Sequence, residues 1–211
     1  MQILFYFLIV AGVIAFSFSI WRRLKEDYSP EQIFSSTILA LLGGLLGFII
    51  FDRWLPQFVF WGFLVGFVLF GLYAISKINL KLYEAWDAAA LGLSWLSLFF
   101  HLGLLLKNGF GEKFSRALEV LPAIVAIVLF YVYLKNYRRF SWYPSGKIGF
   151  IGGSVACLYF VTLALVAIYQ FWVLSFSSLI WTAGISTLSC IGFLVIVFSR
   201  SGRRVSFGKK K

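Results

Sequence analysis

The chain has 211 residues, of which 61% are hydrophobic and only 13% are charged, and its mean hydropathy is +0.92. A water-soluble domain usually carries about 25% charged residues, so this composition excludes an ordinary soluble protein and predicts an integral membrane protein. The net charge of +11 does not indicate nucleic-acid binding, because the basic residues form short clusters between apolar segments rather than a basic surface interleaved with aromatic residues.

Seven segments are long and apolar enough to span a bilayer, which takes about 20 residues in a helix. They cover residues 3–20, 33–51, 56–76, 82–106, 118–134, 148–170 and 173–198. The last two join through the uncharged stretch YQFWVLS, so their boundary is the least marked. We predict an all-α membrane protein with a seven-helix domain over residues 1–199 and a basic cytoplasmic tail over residues 200–211.

The basic residues predict how the chain is oriented, because Lys and Arg concentrate in the cytoplasmic loops of membrane proteins. The first apolar segment has no basic residue before it and a basic cluster at residues 22–25 after it, which is the wrong order for a cleaved signal peptide. With the N-terminus outside and the C-terminus inside, the 19 Lys and Arg residues divide very unevenly. Those on the outer side are Arg53, Lys107, Lys113 and Arg116.

Glycines repeat at a spacing of four in the second and third segments. Gly43 and Gly47 share one helix face, and Gly62 and Gly66 share another. This spacing favours close approach of two helices in a membrane. The alternative is that the glycine face leaves room for a lipid chain.

The fourth segment, LYEAWDAAALGLSWLSLFFHLGLLL, carries most of the polar residues expected inside the membrane. At about 100° per residue, Asp87, Ser94 and His101 fall on one helix face, with Glu84 on the adjoining sector. Polar residues at membrane depth usually face the bundle interior and often have a functional role. We predict a polar stripe that runs from Asp87 near the inner end to His101, roughly 21 Å away, toward the outer leaflet.

His101 is the single histidine of the chain. A histidine beside a carboxylate can transfer protons near neutral pH, and Glu112 or Glu119 is placed to supply that carboxylate. Lys107 and Arg116 are placed to contact a phosphate. The alternative is that His101 packs between helices and has no chemical role.

The sequence predicts no metal site and no cofactor. One histidine and two cysteines cannot build a metal cluster, and Cys157 and Cys190 each lie inside an apolar segment. We interpret both cysteines as small hydrophobic residues rather than as a disulfide.

Four stretches of the chain carry a family resemblance. They are WRRLKEDYSPEQIFSSTILALLGGLLGFIIF, FVFWGFLVGFVLF, AWDAAALGLSWLSLFFHLG and YPSGKIGFIGGSVACLYF. Together they resemble the prolipoprotein diacylglyceryl transferases of bacteria. Members of that family are seven-span, N-out, C-in enzymes that move the diacylglyceryl group of phosphatidylglycerol to the lipobox cysteine of a prolipoprotein. The resemblance implies a diacylglyceryl-transferase-like bundle in the bacterial cytoplasmic (inner) membrane. It also implies two partners, a phosphatidylglycerol-like phospholipid and a prolipoprotein signal peptide.

The resemblance extends to some of the family's functional residues and departs at others. Asp87 matches the signature aspartate, and Gly103 matches the glycine after the essential arginine. His101 stands at the position of that arginine, Trp61 stands where the family has a histidine, and a late arginine is missing after Tyr159. The arginines of the family hold the lipid phosphate through a bidentate fork, which a histidine does not reproduce.

The predicted function is a divergent diacylglyceryl transferase, or a relative that retains only the lipid-binding part of that activity. The predicted catalytic residues are His101, Glu112 and Glu119. The predicted substrate-binding residues are Lys107, Arg116 and Asp87, the last in a structural role.

Two alternatives stay open at this point. One is a non-catalytic lipid- or partner-binding membrane protein of the same fold, which the departures at His101 and Trp61 favour. The other is a small transporter with a polar path through Glu84, Asp87 and His101. The chain shows no clear internal repeat, which many transporters have.

Overall fold

The computed structural model describes residues 2–78, 80–107, 117–136, 149–174 and 177–201. Within these ranges the chain forms seven α-helices, and short 3₁₀ turns at Pro56–Phe58 and Leu118–Val120 precede the third and the fifth. The helices are α1 Gln2–Leu24, α2 Pro30–Trp54, α3 Val59–Ile78, α4 Leu82–Lys107, α5 Leu121–Asn136, α6 Phe150–Leu174 and α7 Ser177–Arg200.

The seven predicted spans are confirmed as helices long and apolar enough to cross a membrane, when α3 and α5 are taken with their preceding turns. Large apolar side chains cover the outside of the bundle: Ile3 is 86% exposed, Leu188 70% and Leu69 60%. A surface of this kind is stable in contact with lipid and not with water. The chain is therefore an all-α protein of the multi-pass membrane type.

Several helices extend beyond the predicted apolar runs. α1 continues through Arg22 and Arg23, because the backbone hydrogen bonds of a helix do not require apolar side chains. The long basic side chains can extend away from the apolar region. The sixth span was predicted to end at residue 170, but α6 continues to Leu174, because the stretch between the last two helices contains no Gly or Pro to stop it. Of the predicted tail, residues 202–211 lie outside the described part of the chain.

The start of α2 is specified by its own sequence. The Ser29 hydroxyl accepts a hydrogen bond from the Gln32 N–H at 3.4 Å, and the Gln32 side chain accepts one from the Ser29 N–H at 3.2 Å. Pro30 occupies the first helical position, where its missing N–H costs nothing. This capping box sets where the second span begins.

Helices α2 and α3 form an antiparallel hairpin whose backbones touch at glycines. A Cβ atom on Gly47 would overlap the carbonyl of Gly62, and one on Gly66 would overlap the carbonyl of Gly43. The close-packing interpretation of this glycine face is confirmed. The space that a lipid chain would need on the face is filled by the partner helix.

Helix α4 lies between the two halves of the core. On one side it packs antiparallel to α1, where Phe16 is fully buried against Gly92. On the other side it packs against α5 and α6, around Phe130 and Phe150. These two core clusters both include residues of α4, so this helix holds its polar residues in fixed positions between them.

Candidate functional site

Asp87, a member of the predicted polar stripe of α4, faces the start of α6 in the bundle interior, as the sequence predicted. At one end of the bundle, here called the basic end because Arg23 and Arg200 lie there, the Asp87 side chain is only 2% exposed. Its two carboxylate oxygens accept backbone N–H bonds from Gly149 at 2.9 Å and from Gly152 at 2.6 Å. Asp87 therefore binds the first turn of α6, where N–H groups have no partner within the helix.

Two glycines make this contact possible. Gly149 has a φ of 100°, a left-handed conformation that residues with a side chain rarely adopt. A Cβ atom on Gly149 would also approach the Tyr83 ring to 2.7 Å, and one on Gly152 would overlap the Trp86 ring. The backbone can reach the Asp87 carboxylate only because both positions lack a side chain.

Positive groups surround the same contact. The charges of Arg23 and Arg200 act on the Asp87 carboxylate, and the Arg200 guanidinium stacks on the Tyr83 ring at 3.4 Å. The positive end of the α6 dipole adds to the favourable field. Asp87 was predicted to belong to the substrate-binding set in a structural role, and its hydrogen bonds show how it joins α4 to α6.

Glu84 is held at the basic end by a separate group of residues. The Tyr28 hydroxyl donates to Glu84 Oε2 at 2.8 Å and accepts from the Lys81 N–H at 3.1 Å. Lys81 Nζ lies 3.2 Å from Glu84 Oε1. These contacts connect the α1–α2 loop to the start of α4.

The Tyr28 contact predicts a pH-dependent contribution to stability. Burial raises the pKa of the Tyr28 phenol above its ordinary 10.0; the Lys81 N–H opposes this and the Glu84 carboxylate reinforces it. Because the folded state holds the proton more tightly, the contribution is complete below the ordinary pKa and is lost as the pH rises through the raised one. Melting curves of wild type and Tyr28→Phe in detergent should therefore converge at alkaline pH. A difference that stays constant over the alkaline range would contradict this prediction.

His101 lies about 21 Å along α4 from Asp87, at the opposite end of the bundle. Its Nδ1 is 2.8 Å from the carbonyl oxygen of Ser97. A carbonyl oxygen only accepts, so Nδ1 carries the proton, and Nε2 of the neutral imidazole carries the lone pair. The Ser97 hydroxyl is 3.2 Å from Nδ1 and 2.9 Å from the Tyr159 hydroxyl on α6.

Two of the predicted partners of His101 fall within the described residues. Glu119, in the turn before α5, acts electrostatically on His101 while its Oε1 accepts a hydrogen bond from Gln170 Nε2 at 3.0 Å. Lys107 lies about 120° around α4 from His101, with its Nζ over the Phe5 ring at 5.1 Å. Lys107 therefore contacts α1, whereas His101 is connected to Tyr159 of α6 through the Ser97 hydroxyl. The predicted site residues Glu112 and Arg116 lie outside the described residues.

Three polar residues that bond to His101, Glu119 or their partners were absent from the sequence prediction: Ser97, Tyr159 and Gln170. Ser97 lies one turn before His101, and this spacing of four was the available signal. Tyr159 and Gln170 lie on α6, and no pattern in the sequence indicates that they meet α4 and the α5 turn. Gln170 is only 4% exposed in an apolar helix, which is itself a mark of a polar contact.

Trp61, at the position of the family's histidine, has a packing role. Its ring stacks on Phe160 of α6 with centroids 5.7 Å apart, and Phe160 stacks on Phe193 of α7 at the same distance. This row of rings connects the α2–α3 hairpin to the last two helices. Trp61 has no titratable group, so acid–base chemistry at this end of the bundle would rest on His101.

The described residues contain no group of three or more His, Cys, Asp or Glu side chains that could hold a metal ion. An apolar trough between α1 and α2 has a single polar lining residue, Ser17, and His101 does not line it. The polar groups around His101 thus form the best candidate for chemistry among the residues described. Comparison with known proteins finds no matching family model, no matching curated protein and no matching solved structure.

Proposed function

We propose that the chain is a divergent diacylglyceryl transferase-like protein of the bacterial inner membrane, N-out and C-in, with His101 as its acid–base group. The observation that carries the proposal is the 2.8 Å contact between His101 Nδ1 and the Ser97 carbonyl oxygen, from which the tautomer of the imidazole is assigned. The Ser97 carbonyl holds the Nδ1 proton, which leaves the Nε2 lone pair available as a base. In the N-out orientation this end of α4 lies at the outer leaflet, where a lipid headgroup and a signal peptide both have access.

The proposed reaction needs one proton acceptor. His101 Nε2 takes the proton from the lipobox cysteine thiol, and the thiolate attacks the diacylglyceryl carbon that is bonded to a phosphate oxygen of phosphatidylglycerol. The C–S bond forms as the C–O bond breaks, and glycerol phosphate leaves.

A second candidate, a non-catalytic lipid-binding protein of the same fold, is favoured by Trp61. The Trp61 ring stacks on Phe160, and it occupies a position where the diacylglyceryl transferases have a histidine. No described observation favours a transporter, because Glu84 and Asp87 are both engaged in hydrogen bonds at the basic end.

Purified protein in phosphatidylglycerol-containing micelles, supplied with a lipobox peptide, tests the proposal. Mass spectrometry should detect diacylglyceryl transfer by the wild type, and His101→Gln should reduce the rate by about 100-fold or more, as removal of an acid–base group typically does. The matched control is Ser94→Ala, since the Ser94 hydroxyl, within the described residues, donates a hydrogen bond to the Ala90 carbonyl of its own helix. Its rate should be unchanged.

The other outcomes separate the two candidates. Stoichiometric co-purification of phosphatidylglycerol without any transfer would support the non-catalytic protein. Equal transfer by wild type and His101→Gln would overturn the acid–base role of His101. If the protein showed no transfer and no preferential binding of phosphatidylglycerol, both candidates would be overturned.

A further inference from the structure

The two cysteines of the chain meet across the interface of α6 and α7. The sequence places them 33 residues apart, and the antiparallel packing of the two helices brings Cys157 Sγ to 2.8 Å from Cys190 Sγ. Both thiols are free, and each residue is only 6% exposed. Their burial as small hydrophobic residues is confirmed, but their direct contact was not predicted from the sequence.

The position of the pair decides what can react with it. Cys157 lies seven residues from the start of α6, and Cys190 lies ten residues from the end of α7, so both are roughly 10–15 Å along their helices from the basic end. Phe160 belongs to the same buried cluster, and Trp61 and Phe193 pack against it. Because the site is apolar and buried, a small lipid-soluble oxidant can approach it more readily than a water-soluble thiol reagent or a redox protein.

We propose that Cys157 and Cys190 form an oxidisable dithiol, which a lipid-soluble quinone converts to a disulfide between α6 and α7. Two S–H bonds break and one S–S bond forms. The two protons and two electrons pass to the quinone, which becomes a quinol. The disulfide bond length is about 2.05 Å, so the sulfur atoms have to move together by less than about 1 Å. This proposal does not depend on the transferase function.

Thiol counting on the full-length protein tests the proposal. The protein is first reduced in detergent, and the reductant is then removed in the absence of oxygen. A short-chain benzoquinone is added. The protein is then denatured in the presence of a maleimide reagent, which adds mass to each free thiol. Wild type should lose both thiols and produce one quinol per chain, and a non-reducing gel should show a monomer. Reduction should restore both thiols.

The single variants Cys157→Ser and Cys190→Ser are the matched controls, because each keeps one buried thiol. Each should form no quinol and retain its remaining thiol. Glutathione disulfide, a water-soluble oxidant, should act on the wild type at least roughly tenfold more slowly than the quinone, because access limits thiol exchange.

Two results would overturn the dithiol assignment: wild type that keeps both thiols in the presence of quinone, or disulfides formed only between chains. Quinol formation by the single variants at the wild-type rate would overturn it as well. If glutathione disulfide and the quinone oxidised the thiols at equal rates, the inference that burial favours a lipid-soluble oxidant would be overturned. The thiol count and the non-reducing gel use wild type alone, so these two measurements test the dithiol assignment even where a single variant fails to fold.

Discussion

Asp87→Ala should lower the free energy of unfolding by about 3 kcal/mol, because it removes two hydrogen bonds to a charged group, each of which contributes about 1.5–3 kcal/mol. The substitution leaves the N–H groups of Gly149 and Gly152 without their acceptor in a buried place. It also removes the negative charge that Arg23 and Arg200 act on. Reversible unfolding in mixed micelles, followed by circular dichroism, measures the loss.

Two variants make the Asp87 result specific. Asp87→Asn keeps the size of the side chain but offers only one carbonyl oxygen, so we expect an intermediate loss. Ser94→Ala removes a hydroxyl that is also buried on α4 but bonds within its own helix, and it should cost less than about 1 kcal/mol. If Asp87→Ala were no more destabilising than Ser94→Ala, the carboxylate would not be what joins α4 to α6.

Gly66→Ala should destabilise the α2–α3 hairpin by about 2–3 kcal/mol, in the upper range for overpacking of a well-packed interface. The new methyl group would overlap the carbonyl of Gly43. That atom belongs to a helix backbone and cannot rotate away as a side chain can, so the two helices have to separate. Gly47→Ala, which would overlap the Gly62 carbonyl from the other helix, should have a similar effect.

Gly71→Ala is the matched control on the same helix, because its Cβ would lie 3.7 Å from Ala40 Cβ, an ordinary contact. Here the higher helix propensity of alanine should leave stability unchanged or raise it by up to about 1 kcal/mol. The same unfolding assay compares the variants. A loss of similar size in Gly71→Ala and Gly66→Ala would show that glycine matters for a reason other than backbone contact.

These two predictions concern what holds the candidate site in place. The Asp87 contact sets the register of α4 against α6, and the same register brings Ser97 to Tyr159 ten residues further along α4. The glycine contacts of the α2–α3 hairpin set the position of α3, and with it the position at which Trp61 stacks on Phe160. A structural loss at either place should therefore also disturb the environment of His101.

Much of the architecture could be predicted from residue type and local spacing. The number of spans follows from apolar length, because a helix must bury its backbone polar groups internally and cover about 30 Å of hydrocarbon. The shared face of Asp87, Ser94 and His101 follows from helical geometry. The Gly43 and Gly47 spacing indicated a close helix contact. The contact is confirmed, because the two backbones approach so closely that a Cβ atom on Gly47 would overlap the Gly62 carbonyl.

The partners of these residues depended on the tertiary structure. Asp87 reaches the Gly149 and Gly152 backbone 62 and 65 residues away, and backbone N–H groups leave no mark in a sequence. Lys107 and His101 are close along the chain yet lie on different faces of α4, because six residues correspond to a rotation of about 120° around the helix. Lys107 contacts Phe5 of α1, whereas the hydrogen bonds of His101 go to Ser97 on its own helix. Cys157 and Cys190 meet because α6 and α7 pack antiparallel in one register. Local spacing determines which face a side chain occupies, but only the packing of helices distant in the chain determines what that face meets.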